Sequence, residues 1–171
     1  TVDQAHSTVG FEVKHMMVSK TKGQFKSYTA DVEAADLTDL TTATIVFKFD
    51  VASIDTNSVD RDNHLKSGDF FDVEHYPSID FTSTSITKNG DDYKVTGDLT
   101  IKNVTKPVTF EVEFGGKGKN PWGVDVYGFE AEAKVNREDF GLTYNAALET
   151  GGVLIGKDVK IKVELEVNPA A

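Results

Sequence analysis

Residues 158–167 read DVKIKVELEV, in which Val159, Ile161, Val163, Leu165 and Val167 alternate without a fault against Lys160, Lys162, Glu164 and Glu166. Side chains on a strand point to opposite faces with a period of two, so this segment predicts a strand with one apolar and one charged face. A strand this regular and this apolar is a poor bare edge, because unpaired N–H and C=O groups there invite pairing with other chains. Antiparallel strands with one apolar face each either stack as two sheets or close on themselves. Closure removes the edges, so the reading is a barrel.

Working outward, the same period marks seven further strands. Ser7 to His15 places Val9, Phe11 and Val13 opposite Gly10, Glu12 and Lys14, and Met16 to Gly23 reads as a polar connection. Gln24 to Ala34 carries Phe25, Tyr28 and Val32, with one phase shift of the kind a bulge produces. Ala43 to Ile54 aligns Ile45, Phe47, Phe49 and Val51. Ser78 to Ile86 aligns Ile79 and Phe81, and Asn89-Gly90 is a strong hairpin signal before Tyr93 to Lys102, with Leu99 and Ile101 inward. After a turn at Asn103 to Pro107, Val108, Phe110, Val112 and Phe114 share a face, and Gly115-Gly116-Lys117-Gly118 reads as a loop. Trp122 to Val135 ends in Phe129, Ala131, Ala133 and Val135, whose alanines leave room. Asn136 to Gly152 is irregular, with a helical turn expected near Asn145 to Glu149.

One stretch breaks the alternation. SVDRDNHLKSGDFFDVEHYP, residues 58–77, crowds charge, two histidines and Leu65, Phe70 and Phe71 into a short excursion. Burying side chains of that size contributes about 1.5–3 kcal/mol each, so they seek the end of the barrel. The segment reads as a short helical or irregular lid. The expected fold is thus all-β, an eight-stranded antiparallel barrel of one domain over residues 1–171.

Composition narrows the function. With 18 basic and 28 acidic residues the net charge is −10, which repels phosphate backbones and disfavours both nucleic acid and charge-driven membrane docking. The absence of cysteine removes disulfides, thiolate metal sites and a cysteine nucleophile. No apolar run is long enough for a transmembrane segment. The opening TVDQAHSTVGFEV has neither a basic n-region nor an apolar h-region. It reads as cytoplasmic or, alternatively, as an exported chain whose signal was removed before residue 1.

Catalytic signals are weak. His6, His15, His64 and His75 fit no metal-binding spacing, and Asp60-Arg61-Asp62-Asn63-His64 lacks the glycine and distal glutamate of a calcium loop. His64 and His75 among Asp60, Asp62, Asp69, Asp72 and Glu74 read more simply as a solvated acidic loop than as a metal site. Asp3, His6, Arg61, Asp62, Arg137 and Asp139 form a polar set in which Arg61–Asp62 and Arg137–Asp139 brace the barrel ends, or in which an arginine meets an anionic head group. No nucleophile elbow or triad occurs. Periodicity alone does not separate a packed phenylalanine core from a ligand cavity.

A series of short motifs, in order and spacing, resembles the YceI-like family, described as polyisoprenoid-binding. They include Asp3, His6-Ser7, Gly23, Phe25, Ser53-Ile54-Asp55-Thr56, Arg61-Asp62, His64-Leu65, Asp69-Phe70-Phe71-Asp72 and Tyr76-Pro77. Gly97-Asp98-Leu99-Thr100-Ile101, Val104-Thr105-Lys106-Pro107-Val108, Asn136-Arg137, Asp139-Phe140-Gly141 and Gly156 continue it, with Asn103 where the family turn has glycine. The resemblance implies a lipocalin-like barrel with a long apolar cavity for a polyisoprenoid or another long-chain amphiphile such as a fatty acid or amide. It implies no catalytic residue, no metal and no cofactor other than that lipid. On this reading the cavity is lined by Val9, Phe11, Val13, Phe25, Phe47, Phe49, Phe81, Leu99, Ile101, Phe110, Val112, Phe129 and Ala131, and Leu65, Phe70 and Phe71 cover one end. His6, Arg61 and Arg137 are the polar contacts. The chain is then a lipid carrier, storage or sensing protein, not an enzyme. A lipid-modifying enzyme using His64 or His75, and a filled barrel acting as an interaction module, are the alternatives. A homodimer is compatible with a long ligand, which a partner often shields.

Overall fold

A computed structural model of the chain describes residues 2–3, 6–15, 19–35, 39–142 and 155–169. In chain order the elements are β1 (Thr8–His15), β2 (Ser19–Phe25), β3 (Tyr28–Glu33), β4 (Thr44–Asp50), β5 (Ile54–Asp55), α1 (Val59–Lys66), β6 (Ser78–Asn89), β7 (Asp92–Ile101), β8 (Val104–Lys119), β9 (Asp125–Asn136) and β10 (Ile155–Val167). The ten strands form one curled sheet in the order β3-β4-β6-β7-β8-β9-β10-β1-β2-β5. β10 lies inside it, as its alternation requires: Val163 pairs with Ala131 on one side and with Val9 on the other.

The all-β, lipocalin-like reading holds, with ten strands where eight were expected and a half-barrel in place of full closure. The order ends at β3 and β5, and the two ends meet at a stitched corner. There Lys26 N–H donates to the Ser53 carbonyl at 3.3 Å, and Asp50 N–H donates to the Ser27 carbonyl at 2.9 Å. Ser27 N–H donates to Ser53 Oγ at 3.0 Å.

The extra strands arise where apolar alternation is silent. The expected polar connection at Met16 to Gly23 holds β2, whose Lys22 and Thr21 pair with Glu12 and Val13 of β1. Its inward positions are small because a Cβ on Gly23 would stand 2.4 Å from the Phe11 ring. The single strand expected over Gln24 to Ala34 is therefore two, and β3 pairs with β4, not with β2. Ala43 to Ile54 also divides, since a 3-10 turn at Val51–Ser53 separates β4 from β5. The expected loop at Gly115 to Gly118 is strand, with Lys117 paired to Tyr127 and Gly118 to Val126 in the long β8–β9 ladder. Pro107 likewise lies within β8, opposite Asp98. The hairpin tip is Asn120–Val124, where Trp122 is 83% exposed. The helical turn expected at Asn145 to Glu149 lies outside the described residues.

The lid forms where it was expected. Ser58 caps α1, its Oγ accepting from Arg61 N–H. None of the helix is buried, and Val59 is 75% exposed. What ties the segment down follows the helix: Phe70 is buried, and Phe71 meets Phe25 edge-on at 6.3 Å.

The inner faces pack tightly where glycine allows close approach. A Cβ on Gly97 of β7 would lie 2.5 Å from both the Phe81 ring and the Thr82 carbonyl oxygen, and backbone does not yield easily. Gly97→Ala is expected to lower stability by about 1–3 kcal/mol, read as a lower urea midpoint at unchanged m-value.

Candidate ligand-binding cavity

The side chains do not fill the space the sheet encloses. Under the lid lies a cavity of about 360 Å³, bounded by β1, β10, the lid and the ends of β6, β7 and β9. Toward the opposite end a second, smaller one of about 80 Å³ is lined only by valine, leucine, isoleucine, phenylalanine and alanine. Phe49, Leu99 and Ile161 line both and form the waist between them. A packed interior holds few voids larger than a water, and an apolar void offers water no partners. The larger compartment is of the size of ligand sites, roughly 300–1,000 Å³.

Val9, Phe11, Val13, Phe25, Leu65, Phe70, Phe71 and Ile101 line the larger compartment, with Arg61 and Arg137. Phe47, Phe81, Phe110, Val112, Phe129 and Ala131 line the smaller one. His6 lies at neither. It stands on the outer surface at the far end, its Nδ1 2.9 Å from Asp3 Oδ2, and belongs to no cavity contact with the lid arginines.

Sequence reasoning missed several lining residues. Lys14 alternates to the outer face, but the β1–β10 register shifts between Val13 and His15, and this bulge admits Lys14 to the cavity rim. Thr21 sits on a strand with no apolar signature, and Leu142 and Ile155 lie in a connection without period. Ile161 could have been found, since its inward face was legible in the alternation of β10.

The polar groups at the lid end are anchored differently from the expected ion pairs. Arg61 and Asp62 do not pair with each other; both engage Thr56, which is buried. Thr56 Oγ1 accepts from Arg61 Nε at 2.7 Å and donates to Asp62 Oδ1 at 2.5 Å, and Asp62 also takes the Thr56 N–H at 2.9 Å. Arg137, 4% exposed, donates to carbonyls: Nε to Gly156 at 2.8 Å and Nη1 to Leu142 at 2.5 Å. It thereby ties the end of the turn after β9 to the start of β10. Burial pulls its guanidinium below the ordinary value, and the Glu138 carboxylate opposes that. His64 Nε2 lies 2.8 Å from Asp69, with its ring edge-on to Phe70 at 5.1 Å. His75 pairs with Asp72 at 3.0 Å.

No group of three potential metal ligands forms in the lid among the described residues. Among the described residues the one such group is Asp3, His6 and Glu166 at the far end, with ligand atoms within 4.8 Å of one another.

A curled antiparallel sheet, lidded by a short helix over an apolar interior, defines the lipocalin-like class of half-barrels. The sequence profile of the YceI-like domain matches residues 1–167. A UPF0312 protein of Staphylococcus aureus strain N315 is 47% identical over 167 residues, 97% of this chain and 95% of that one. The chain belongs to the YceI-like family. Among solved structures, Burkholderia cenocepacia BcnA matches with a TM-score of 0.84 at 28% identity, covering 98% of this chain and 99% of its own. The Campylobacter jejuni YceI protein matches at 0.78 and 32% identity, over 100% and 98% of the two chains. A polyisoprenoid binding domain from Saccharophagus degradans shares the fold at 0.68 and 13% identity, over 98% and 97%.

Thr56→Val removes the hydroxyl that Arg61 and Asp62 share. It is expected to cost about 1–3 kcal/mol and to speed amide exchange in α1 while leaving β10 protected. The hydrogen bond and charge of Asp3, with Glu166 adding charge, raise His6 above its ordinary 6.5. Asp72, then Glu74, do the same for His75. Each protonated ring contributes fully below the unfolded value, and the contribution is lost as pH rises through the higher folded one. NMR titration should place both midpoints above 6.5, with Asp72→Asn lowering that of His75 alone.

Proposed function

We propose that this protein binds a long-chain isoprenoid lipid, or a similar single-chain amphiphile, inside the half-barrel and serves as its carrier. The observation that carries the reading is the largely apolar cavity of about 360 Å³ under the lid, with an all-hydrocarbon compartment of about 80 Å³ on the far side of the waist. Transfer of an apolar chain from water is favourable by roughly 25 cal/mol per Å² before association costs, and beyond the waist the lining is hydrocarbon only. The donors gather at the lid end, where Lys14, Thr21, Arg61 and His64 reach the cavity. The ligand head belongs there and its tail runs toward the waist. The name of the Saccharophagus degradans neighbour, a polyisoprenoid binding domain, supports the same ligand class at the level of the fold.

A binding role fits better than catalysis. The one buried hydroxyl beside the arginine of the lid, Thr56, is held between Arg61 and Asp62, and His64 is engaged by Asp69. No nucleophile, base and orienter converge there among the described residues.

Mass spectrometry of lipid extracted from the purified protein is expected to yield a long isoprenoid or acyl species. Reproducibly empty protein that also takes up no fluorescent isoprenoid would sink the proposal. Ala131→Phe fills the smaller compartment from β9. It is expected to weaken an octaprenyl probe about tenfold or more and a geranylgeranyl probe much less, with the fold retained. Equal loss for both probes contradicts a tail that reaches beyond the waist.

A further inference from the structure

The surface beside the lid end carries charge of the opposite sign to the protein as a whole. A groove on the outer face of β1, β2, β9 and β10 is lined by Lys14, Lys20, Lys134, Lys157 and Lys160 against Glu12 and Asp158, a surplus of three positive charges. Lys22 and Lys162 extend the row, and Glu132 and Glu138 offset them. The rest of the chain therefore carries the acidity that makes the net charge −10.

Two features make this more than a solvated lysine face. Val13 and Lys14 line both the groove and the cavity, so the basic surface and the greasy interior share a wall. Apart from Lys160, which lies 3.1 Å from Glu132, the paired ammonium groups are also loosely held. Lys20, Lys22 and Lys162 all lean on Glu12 at 3.8, 3.8 and 3.5 Å, and Lys134 stands 3.7 Å from Asp158. Charge-assisted bonds run nearer 2.7–2.9 Å, roughly, so these side chains are free to turn to an external anion. Burial raises the Glu12 carboxyl, yet Lys162, Lys20 and Lys22 together hold it below its ordinary value. The acidic far side does not cancel this field, because charges are screened within about 8 Å at physiological ionic strength.

We propose that the β2–β1–β10–β9 face docks on an anionic phospholipid bilayer, bringing the lid end of the cavity to the membrane that supplies or receives its ligand. The choice of a bilayer rests on the lipid-binding reading above. A membrane offers a plane of phosphates to a broad, shallow lysine groove, each lysine near the surface adding to the attraction. The exposed Trp122 and Val124 sit on the β8–β9 tip at the opposite end and take no part.

The test is co-sedimentation of the full chain with phosphatidylcholine vesicles, with and without phosphatidylglycerol, at low and physiological salt. The wild-type protein should pellet with the anionic vesicles only, and less as salt rises. Lys20→Glu/Lys134→Glu/Lys160→Glu should weaken that binding about tenfold or more. Lys48→Glu/Lys88→Glu/Lys94→Glu, on β4, β6 and β7, and Trp122→Ser should leave it near wild type. Failure to pellet, equal binding to neutral vesicles, equal loss in both triple variants, or loss in Trp122→Ser alone overturns the docking face. Binding to polyglutamate but not to vesicles overturns it in favour of an acidic protein. Uptake of a fluorescent isoprenoid from detergent, measured in parallel, reports on the cavity: both triple variants should retain it. No docking by the wild-type protein with retained uptake refutes this face alone, whereas no uptake by any form refutes the lipid-binding reading.

Discussion

The inner faces of the sheet point at a common space that their side chains do not span, and the rest of the molecule follows from that mismatch. Opposing side chains meet at the waist, where Leu99 is 1% exposed and Phe49 and Ile161 close from either side. Away from the waist, packing is pairwise along the wall: Phe81 meets Phe110 edge-on at 5.1 Å, and Phe114 lies against Phe129 at 5.3 Å. Apolar area is still removed from water, which is where the folding free energy comes from. The contacts that would complete a solid core are missing under the lid. A hydrocarbon guest of the kind proposed above would supply them.

Small residues on the inner face are part of how that room is kept. Gly23 accommodates Phe11, Gly97 accommodates Phe81, and Ala131 and Ala133 stand where larger side chains would reach across. The aromatic rings therefore lie along the wall. A sheet of long, uniformly branched side chains would have closed the interior at the same curvature.

The lid is built on a different principle from the wall. No residue of its helix is fully buried, and its hold on the barrel is local: Leu65 on the helix, Phe70 and Phe71 behind it, and the Thr56 bonds to Arg61 and Asp62. Segments with few buried contacts open at lower free energy than paired strands. Arg137 secures the neighbouring end by donating to the carbonyls of Leu142 and Gly156, a fully internal use of a residue whose charge alone suggested a ligand contact. The cavity thus has a rigid far half and an end that opens more easily, next to a groove where lysines outnumber acids.

The sequence by itself determined that this is an antiparallel β protein with an apolar interior, because alternation on β1, β4, β7 and β10 states which face is buried without reference to any neighbour. It also placed the lid, since Leu65, Phe70 and Phe71 break the alternation and need cover. It could not count the strands. β2 and the glycine segment of β8 carry no apolar alternation, as their inner positions are small or polar, and only the partner strand makes them visible. It could not tell bracing pairs from site residues either: Arg61 and Asp62 are adjacent in sequence yet converge on Thr56, and His6 lies at the wrong end. Whether the phenylalanines meet or leave space depends on the curvature of the sheet, and whether lysines from four strands add to one field depends on their register. Both are relations between segments far apart in the chain, and tertiary structure alone decides them.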